Sequence, residues 1–564
     1  MTGSLLLAGC QASGSPAPRR ATSSGTEGGS AHPLFTEITA EVGLNLTVEP
    51  WPDGTFFLPE VMGPGVAVFD YDNDGDLDIL QVRMPPPGQP KAPAPSRLFQ
   101  QQADGKFLDV TSRSGLSNVV YGQGVAIGDV DNDGDLDVYF ANYGPDVFYL
   151  NNGDGTFTEA TARAGFRGDL WSSSAAFCDY DRDGYLDLFV AHYLRLTPKA
   201  YCVSPTGEHG YCGPRDFDGV PDTLYRNNGD GTFTDVSEKA GIKYPDGGKT
   251  AKGLGVICMD LTGDGWPDIY VANDGEANNL WVNQHDGTFK EEGILRGTAV
   301  DRDGVPTASM GVTAGDVNGD GLLDLFMTNL ARENNSLFRG ATGGLFRDFT
   351  TESGMTQDDL PTTGFGCGFF DYDHDGGLDL AVVNGRVKRG PALPAARLGE
   401  FWNHYAEPSF LFRNDGAGAF TNVSALAGSF AERVEVTRGL AFGDLDRDGD
   451  LDMVVSNGDN SLRVFRNDAP KEGRHWLLVR AMTGRRDALG AQITVSAGGR
   501  KHLRPVLAAY SYMSSNDPRA HFGLGDADRV EGLEVLWPDG RRQRFPSGSV
   551  DRELTIREGD GEAP

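Results

Sequence analysis

The stretch Asp70-Tyr71-Asp72-Asn73-Asp74-Gly75-Asp76-Leu77-Asp78 sets five carboxylates around one glycine in nine residues. The phrase D-x-[DNT]-x-D-G-x-x-D returns from Asp129, Asp179, Asp260, Asp316, Asp371 and Asp444, which makes seven copies. Calcium is a hard cation that takes about 6 to 8 oxygens, and short loops supply them from alternate positions with a glycine at the sharp bend. Positions 1, 3, 5 and 9 of the phrase offer side-chain oxygens, position 7 a backbone carbonyl, and position 6 is glycine throughout. Carboxylates this close repel one another unless a cation sits among them.

The expected ligand sets are therefore Asp70, Asp72, Asp74 and Asp78; Asp129, Asp131, Asp133 and Asp137; Asp179, Asp181, Asp183 and Asp187; Asp260, Thr262, Asp264 and Asp268; Asp316, Asn318, Asp320 and Asp324; Asp371, Asp373, Asp375 and Asp379; and Asp444, Asp446, Asp448 and Asp452. Up to seven structural Ca2+ ions are expected, weaker where Thr262 and Asn318 replace a carboxylate. An EF-hand loop would need Glu at position 12, where the first three copies have Gln81, Phe140 and Val190. With dissociation constants of about 10⁻⁴ to 10⁻³ M, millimolar calcium would stabilise each loop by about 0.4 to 1.4 kcal/mol.

Strand-like runs flank each phrase, as in Gly124-Val125-Ala126-Ile127-Gly128 and Leu136-Asp137-Val138-Tyr139-Phe140. A second phrase follows downstream, for example Arg226-Asn227-Asn228-Gly229-Asp230-Gly231-Thr232-Phe233, a hairpin signal. Two hairpins make a four-stranded unit, and the six intervals between phrases average about 62 residues. The pattern predicts an all-β chain: a seven-bladed β-propeller over residues 34–470 and a small C-terminal β-sandwich over 475–558. The unit starting at Asp444 lacks its last strand, and Phe35 to Leu44 repeats the missing phrase. Residues 34–44 are expected to close the last blade.

The net charge of −32 excludes phosphate-driven nucleic-acid binding, and 29 aspartates in the seven phrases account for much of it. Residues 474–558 carry 14 basic and 10 acidic side chains, so a basic module is expected to dock on an acidic propeller. No apolar run approaches the ~20 residues of a membrane span. Leu7-Ala8-Gly9-Cys10 is similar to a bacterial lipobox, so residues 1–10 read as a lipoprotein-type signal remnant with Cys10 lipidated, and 11–33 as a flexible linker. The expected location is extracytoplasmic, anchored to a bacterial membrane by that lipid or secreted, and the expected state a monomer. Cys202 and Cys212, ten positions apart in a polar loop, are expected to form a disulfide. Cys178, Cys258 and Cys367 lie in apolar surroundings and read as small core residues.

The nine-residue phrases resemble the FG-GAP/VCBS repeats of integrin-α-like propellers. The C-terminal region resembles the ASPIC/UnbV domain through Gly484-Arg485-Arg486-Asp487-Ala488-Leu489-Gly490-Ala491, Ser511-Tyr512-Met513-Ser514-Ser515-Asn516-Asp517, His521-Phe522-Gly523-Leu524-Gly525 and Trp537-Pro538-Asp539-Gly540. Together they are similar to the cartilage acidic protein family and its bacterial relatives. The resemblance implies a calcium-binding extracellular propeller. Some relatives of the C-terminal domain accompany enediyne biosynthesis, which keeps an enzyme or accessory role in secondary metabolism as the alternative.

Five residues past each phrase the second strand should reach the opposite face, at Arg83, Asn142, His192, Asn273, Asn329, Asn384 and Asn457. Asn ends strands and starts turns; Arg83 and His192 break the pattern and are candidate ligand-binding residues. The insertions at 84–95, 194–221 and 386–408 follow these positions and should decorate the same rim. The leading expectation is a scaffold that recognises a protein or glycan there. His192, His209 and His404 would mark a transition-metal pocket if the rim were an active site.

Overall fold

Each nine-residue phrase turns the chain between the first two strands of a four-stranded antiparallel sheet. In the first copy these are Val66–Phe69, Asp78–Gln81, Arg97–Gln101 and Phe107–Asp109. Position 4 is left-handed at Asn73, Asn132, Arg182, Gly263, Gly319, His374 and Arg447, and the position-6 glycines have φ between 83° and 99°. Two left-handed residues separated by one make the bend, and the second tolerates no Cβ cheaply.

The computed structural model describes residues 32–44, 51–197, 201–203 and 207–564, and residues 33–564 form one compact unit. The proposed signal, the lipidation site at Cys10 and the linker through residue 31 lie outside the described residues. Seven such sheets are present among the described residues. Their first strands are Val66–Phe69, Tyr121–Gly128, Ser172–Cys178, Gly253–Met259, Val312–Gly315, Gly364–Phe370 and Thr437–Gly443. Each packs on the next, and the seventh packs on the first, so the cycle of neighbours closes in a propeller-like arrangement. The last sheet takes its outer strand from Phe35–Glu37, with Phe35 opposite Asn467 of Leu462–Asn467.

The first strands are glycine-rich because backbone meets backbone at the axis. A Cβ on Gly124 would lie 2.0 Å from the Ser173 carbonyl oxygen. A second set of contacts ties sheet to sheet. The Asn151 side chain donates to the Tyr71 carbonyl of the preceding sheet, Asn227 to Val130, Asn283 to Tyr180, Asn414 to Val317 and Asn467 to Tyr372, at 2.8–3.0 Å. Gln101 does the same to Leu445 across the closure, at 2.7 Å. The fifth sheet has Gly340 at this place and no side chain to donate.

Residues 475–558 form two packed sheets. One holds Arg486–Asp487, His475–Thr483 and Ala520–Gly525, with Arg552–Arg557 parallel to His475–Thr483; the other holds Arg500–Pro505, Gln492–Ala497, Arg529–Leu536 and Arg542–Phe545, with Gly548–Ser549 at its end. Their core merges with the propeller's through Leu477, Ile493 and Phe522 beside Ala126 and Val130. The loop before Ala520 enters the axis. Ser511 exchanges backbone hydrogen bonds with Val312, Ser515 bonds Val66 and Val68, the Val125 amide donates to Met513 and the Phe442 amide to the Asn516 side chain. Tyr512, fully buried, reaches through to the Met62 carbonyl at 2.5 Å. A Cβ on Gly65 would lie 1.7 Å from the Met513 oxygen, so the plug fits only against glycine.

Cys202 and Cys212 are bonded, and Cys367 is a free, buried thiol. The reading of Cys178 and Cys258 as separate core residues is corrected: they form a disulfide, with Cα atoms 6.2 Å apart. Cys178 ends the first strand of its unit and Cys258 lies one residue before the end of its own, and adjacent packing of those strands brings the two positions together across 80 residues of chain. Non-reducing peptide mapping should recover both bonds with Cys367 unpaired. A chain lacking residues 1–32 should elute as the full chain does on gel filtration. One lacking residues 1–44 leaves Leu462–Asn467 as a bare edge and should aggregate.

Candidate metal centres and the open face

The last aspartate of each phrase is buried, and both its oxygens are in use. In the second copy Asp137 Oδ2 accepts the Val130 amide at 2.9 Å and Oδ1 accepts the Asn151 amide at 2.9 Å. Asp78, Asp187, Asp268, Asp324, Asp379 and Asp452 each repeat this bracket between the loop's second residue and the third strand. The first aspartate accepts the position-6 glycine amide, as Asp129 Oδ2 does from Gly134 at 2.9 Å. The fifth residue accepts the amide two places on, as Asp133 does from Asp135 at 2.9 Å.

Oxygens are left over. Asp70 Oδ1, Asp72 Oδ1 and Asp179 Oδ1 are buried without a hydrogen-bond partner. Asp70, Asp72 and Asp78 each bring an oxygen within 4.8 Å of one another, as do Asp129, Asp131 and Asp137; Asp179, Asp181 and Asp187; and Asp371, Asp373 and Asp379. Orphaned carboxylate oxygens facing one another fit a hard divalent cation. The expected ligands at positions 1, 3 and 9 are thus brought together in these copies, with position 5 beside them.

The fourth and fifth copies differ. Asp260 Oδ1 accepts the Gly263 and Asp264 amides at 2.7 and 3.2 Å, and Asp316 Oδ1 the Gly319 and Asp320 amides at 2.8 and 3.1 Å. The Asn318 amide turns onto Asp320. The second, sixth and seventh copies also make the position-5 bond, so the uncharged third residue goes with one further amide, from Gly263 or Gly319, on the first carboxylate. In the seventh copy, burial and the Asp448 charge together raise the Asp446 carboxyl.

Burial also raises the first and last aspartates. Asp70 rises to about 6, with the Gly75 amide opposing and Asp74 and Asp72 adding; Asp78 rises to about 8, opposed by the Tyr71 and Gln101 amides. The C-terminal domain lies on this acidic face, as its charge predicts. Arg486 pairs with Asp179 at 3.3 Å, Arg474 with Asp373 at 2.9 Å, and Arg485 donates to the Asp133 carbonyl.

At the other ends of the second strands, Asn142, Asn273, Asn329 and Asn384 are buried and donate to the carbonyls of Pro145, Ala277, Asn334 and Pro408. They hold turns. His192 is also buried, between Ser172 Oγ at 3.1 Å and Thr223 Oγ1 at 3.0 Å, so it faces no solvent on the rim. Ser172 in turn donates to the half-buried Asp146; with serine in the middle and His192 enclosed, the chain Asp146–Ser172–His192 braces two strands. Arg83 is half-buried, with the Pro95 carbonyl 3.5 Å from its guanidinium. His404 Nδ1 lies 2.7 Å from the Gly390 carbonyl, and His209 packs near Phe56.

The insertions converge. Tyr211, inside the disulfide loop of the third unit, meets Tyr405 of the sixth with ring centroids 5.6 Å apart, and Phe56 lies 5.5 Å from Tyr211. Trp51 stacks on Trp402 at 3.5 Å. Beside this aromatic wall a cavity of about 520 Å³ opens, lined by Leu58, Met62, Tyr193, Asp274 and Arg332 among others. Sequence spacing gave no signal for this cavity.

Residues 70–140, 129–190, 260–327, 316–382 and 401–455 match the FG-GAP-like repeat, and residues 482–563 match ASPIC and UnbV. The chain belongs to the FG-GAP-like repeat family. Cartilage acidic protein 1 of Xenopus tropicalis is 25% identical over 553 residues, 93% of this chain and 77% of that one; the Homo sapiens protein is 25% identical over 564 residues, 94% and 76%. Among solved structures, an Agrocybe aegerita lectin that recognises non-reducing terminal N-acetylglucosamine aligns over 72% of this chain and 94% of its own, with TM-score 0.41 and 17% identity. A Bacillus licheniformis rhamnogalacturonan lyase aligns over 73% and 91%, with TM-score 0.29 and 13% identity.

The FG-GAP-like loops separate two roles that substitution can test. Asp133→Asn should lower the melting temperature in calcium and, because it relieves repulsion on Asp129 and Asp131, should not lower it in chelator. Asp137→Asn breaks the bracket and should cost about 2 to 4 kcal/mol in chelator, and more in calcium because it also removes a position-9 ligand. The pH dependence follows from the raised carboxyls. A folded-state value of about 6 at Asp70, or about 8 at Asp78, against 3.8 unfolded means the cation-free fold binds extra protons. That stability is full below the unfolded value and is lost as pH rises through the folded ones. Calorimetric scans in chelator should therefore show melting temperature falling from pH 5 to pH 8, with the increment due to calcium growing over the same window.

Proposed function

We propose that the chain is a calcium-stabilised recognition scaffold that works outside the cytoplasm, as a monomer, and holds a protein or glycan on the face opposite its C-terminal domain. One observation carries this reading. The motif face is covered by the C-terminal domain and the axis is plugged by Tyr512 and Met513, whereas the insertion-bearing face keeps an open cavity. Binding sites gather on such loops when a rigid frame presents them.

The orphaned aspartate oxygens support calcium in the loops. Two disulfides support an oxidising compartment. No helix among the described residues is long and apolar enough to cross a membrane, and attachment through a lipid on Cys10 belongs to the same proposal.

Capture on glycan arrays and from extracellular protein fractions, in calcium, tests the reading when followed by cross-linking mass spectrometry. Cross-links should fall on the insertions around Tyr211, Lys388 and Tyr405. Cross-links confined to the outer strands or the C-terminal domain would overturn it.

A further inference from the structure

The charges of the open cavity are unequally engaged. Each of its acids has one oxygen held by the fold: Asp274 Oδ2 accepts the Tyr193 hydroxyl at 2.5 Å, Glu333 Oε2 the Ala308 amide at 2.7 Å and Asp216 Oδ2 the Gly213 amide at 3.2 Å. Its cations are not so held. Arg215 and Arg332 are exposed at the cavity and their guanidinium groups enter no hydrogen bond or ion pair among the described residues, while Lys388 is exposed and faces Asp274 only through space. In a chain of net charge −32, three cations from the third, fifth and sixth units meet over one cavity, where they balance Asp216, Asp274 and Glu333 in charge and keep guanidinium and ammonium donors for a ligand. Arg332 is held there in a left-handed backbone conformation, φ 78°, with its amide bonded to the Leu360 carbonyl at 2.7 Å. Non-glycine residues adopt that conformation only where the surroundings enforce it, and such sites cluster where ligands bind.

We propose that this cavity binds an acidic saccharide, a hexuronate unit whose carboxylate is held by Arg215, Arg332 and Lys388 while its ring rests on Met62 and Tyr211. The proposal rests on the recognition reading above and names its ligand class. Planar guanidinium groups suit a carboxylate through paired hydrogen bonds. The second oxygen of Asp274 accepts no hydrogen bond among the described residues and is placed for a sugar hydroxyl. A volume of about 520 Å³ is within the range of small-molecule sites. A peptide is the poorer fit, because the lining is made of turns and strand ends and Asp274 is itself bridged to Ala308, which leaves no strand edge to extend.

Isothermal titration of the full calcium-loaded chain with a glucuronate-containing disaccharide, and with its carboxyl-reduced counterpart, tests the assignment. The acidic sugar should bind at least tenfold more tightly than the reduced one. Arg215→Ala with Arg332→Ala, and separately Lys388→Ala, should each weaken it by about tenfold or more, at an unchanged melting temperature because all three side chains are exposed. Equal affinity for the reduced sugar, unaltered binding by the variants, or preference for an acidic peptide would overturn the proposal. Capture of a neutral glycan on this face, insensitive to the variants, would sink the acidic-sugar assignment and leave recognition standing; cross-links elsewhere would sink both.

Discussion

The architecture depends on one buried joint, made seven times. The ninth residue of each phrase is an aspartate whose two oxygens accept one amide from its own loop and one from the third strand. A carboxylate is the side chain of this size with two acceptors and no donor, so asparagine would present an amide to an amide. Keeping that group ionised in a buried place is costly, and burial accordingly pushes Asp78 up to about 8. A divalent cation among the first, third and ninth residues would ease the conflict, in addition to the two amides that already favour the charge. On the proposed reading, the joint and the cation site are one device: the loop that fastens the sheet holds a charge that a bound cation would stabilise.

From that joint the ring follows. The residue whose amide completes the bracket also sends its side chain to the preceding sheet, in six of the seven units, so the fastening within a sheet and between sheets passes through one position. The C-terminal domain completes what the ring leaves open. Its arginines settle on the acidic loops, and its Ser511 to Asp517 segment pairs with the inner strands around the axis. The serine and asparagine side chains of that segment meet the open edges of those strands, whose amides need partners: the Cys367 amide donates to Ser511, the Val66 amide to Ser514 and the Phe442 amide to Asn516. Tyr512 then reaches the far side, beneath Met62 and the floor of the cavity.

Much of this was legible in the residues. Seven phrases, 50 to 81 residues apart, pointed to the number of sheets, the absent strand after Asn467 pointed to Phe35, and the charge of residues 474–558 pointed to the acidic face. What stayed hidden involves neighbours distant in the chain. Asn227 and its counterparts read as turn residues because Asn-Gly marks hairpins, while their cross-sheet bonds depend on a packing that no local pattern encodes. Cys178 and Cys258 are each ordinary within their own unit. His192 occupies the place of a turn-holding asparagine and is enclosed as those are. The aromatic wall joins insertions of the third and sixth units, which meet because both lean over the axis, and Arg332 and Lys388 become a cation pair only there.

The most direct test is calorimetric titration of calcium into chelator-stripped full chain at neutral pH. Saturable binding is expected, with a stronger class of about five sites and a weaker class of about two, the weaker ones unaffected by Asp133→Asn and assigned to the loops with Thr262 and Asn318. A titration with no saturable binding would contradict the account, because the buried brackets would then stand without the cation proposed for the orphaned oxygens.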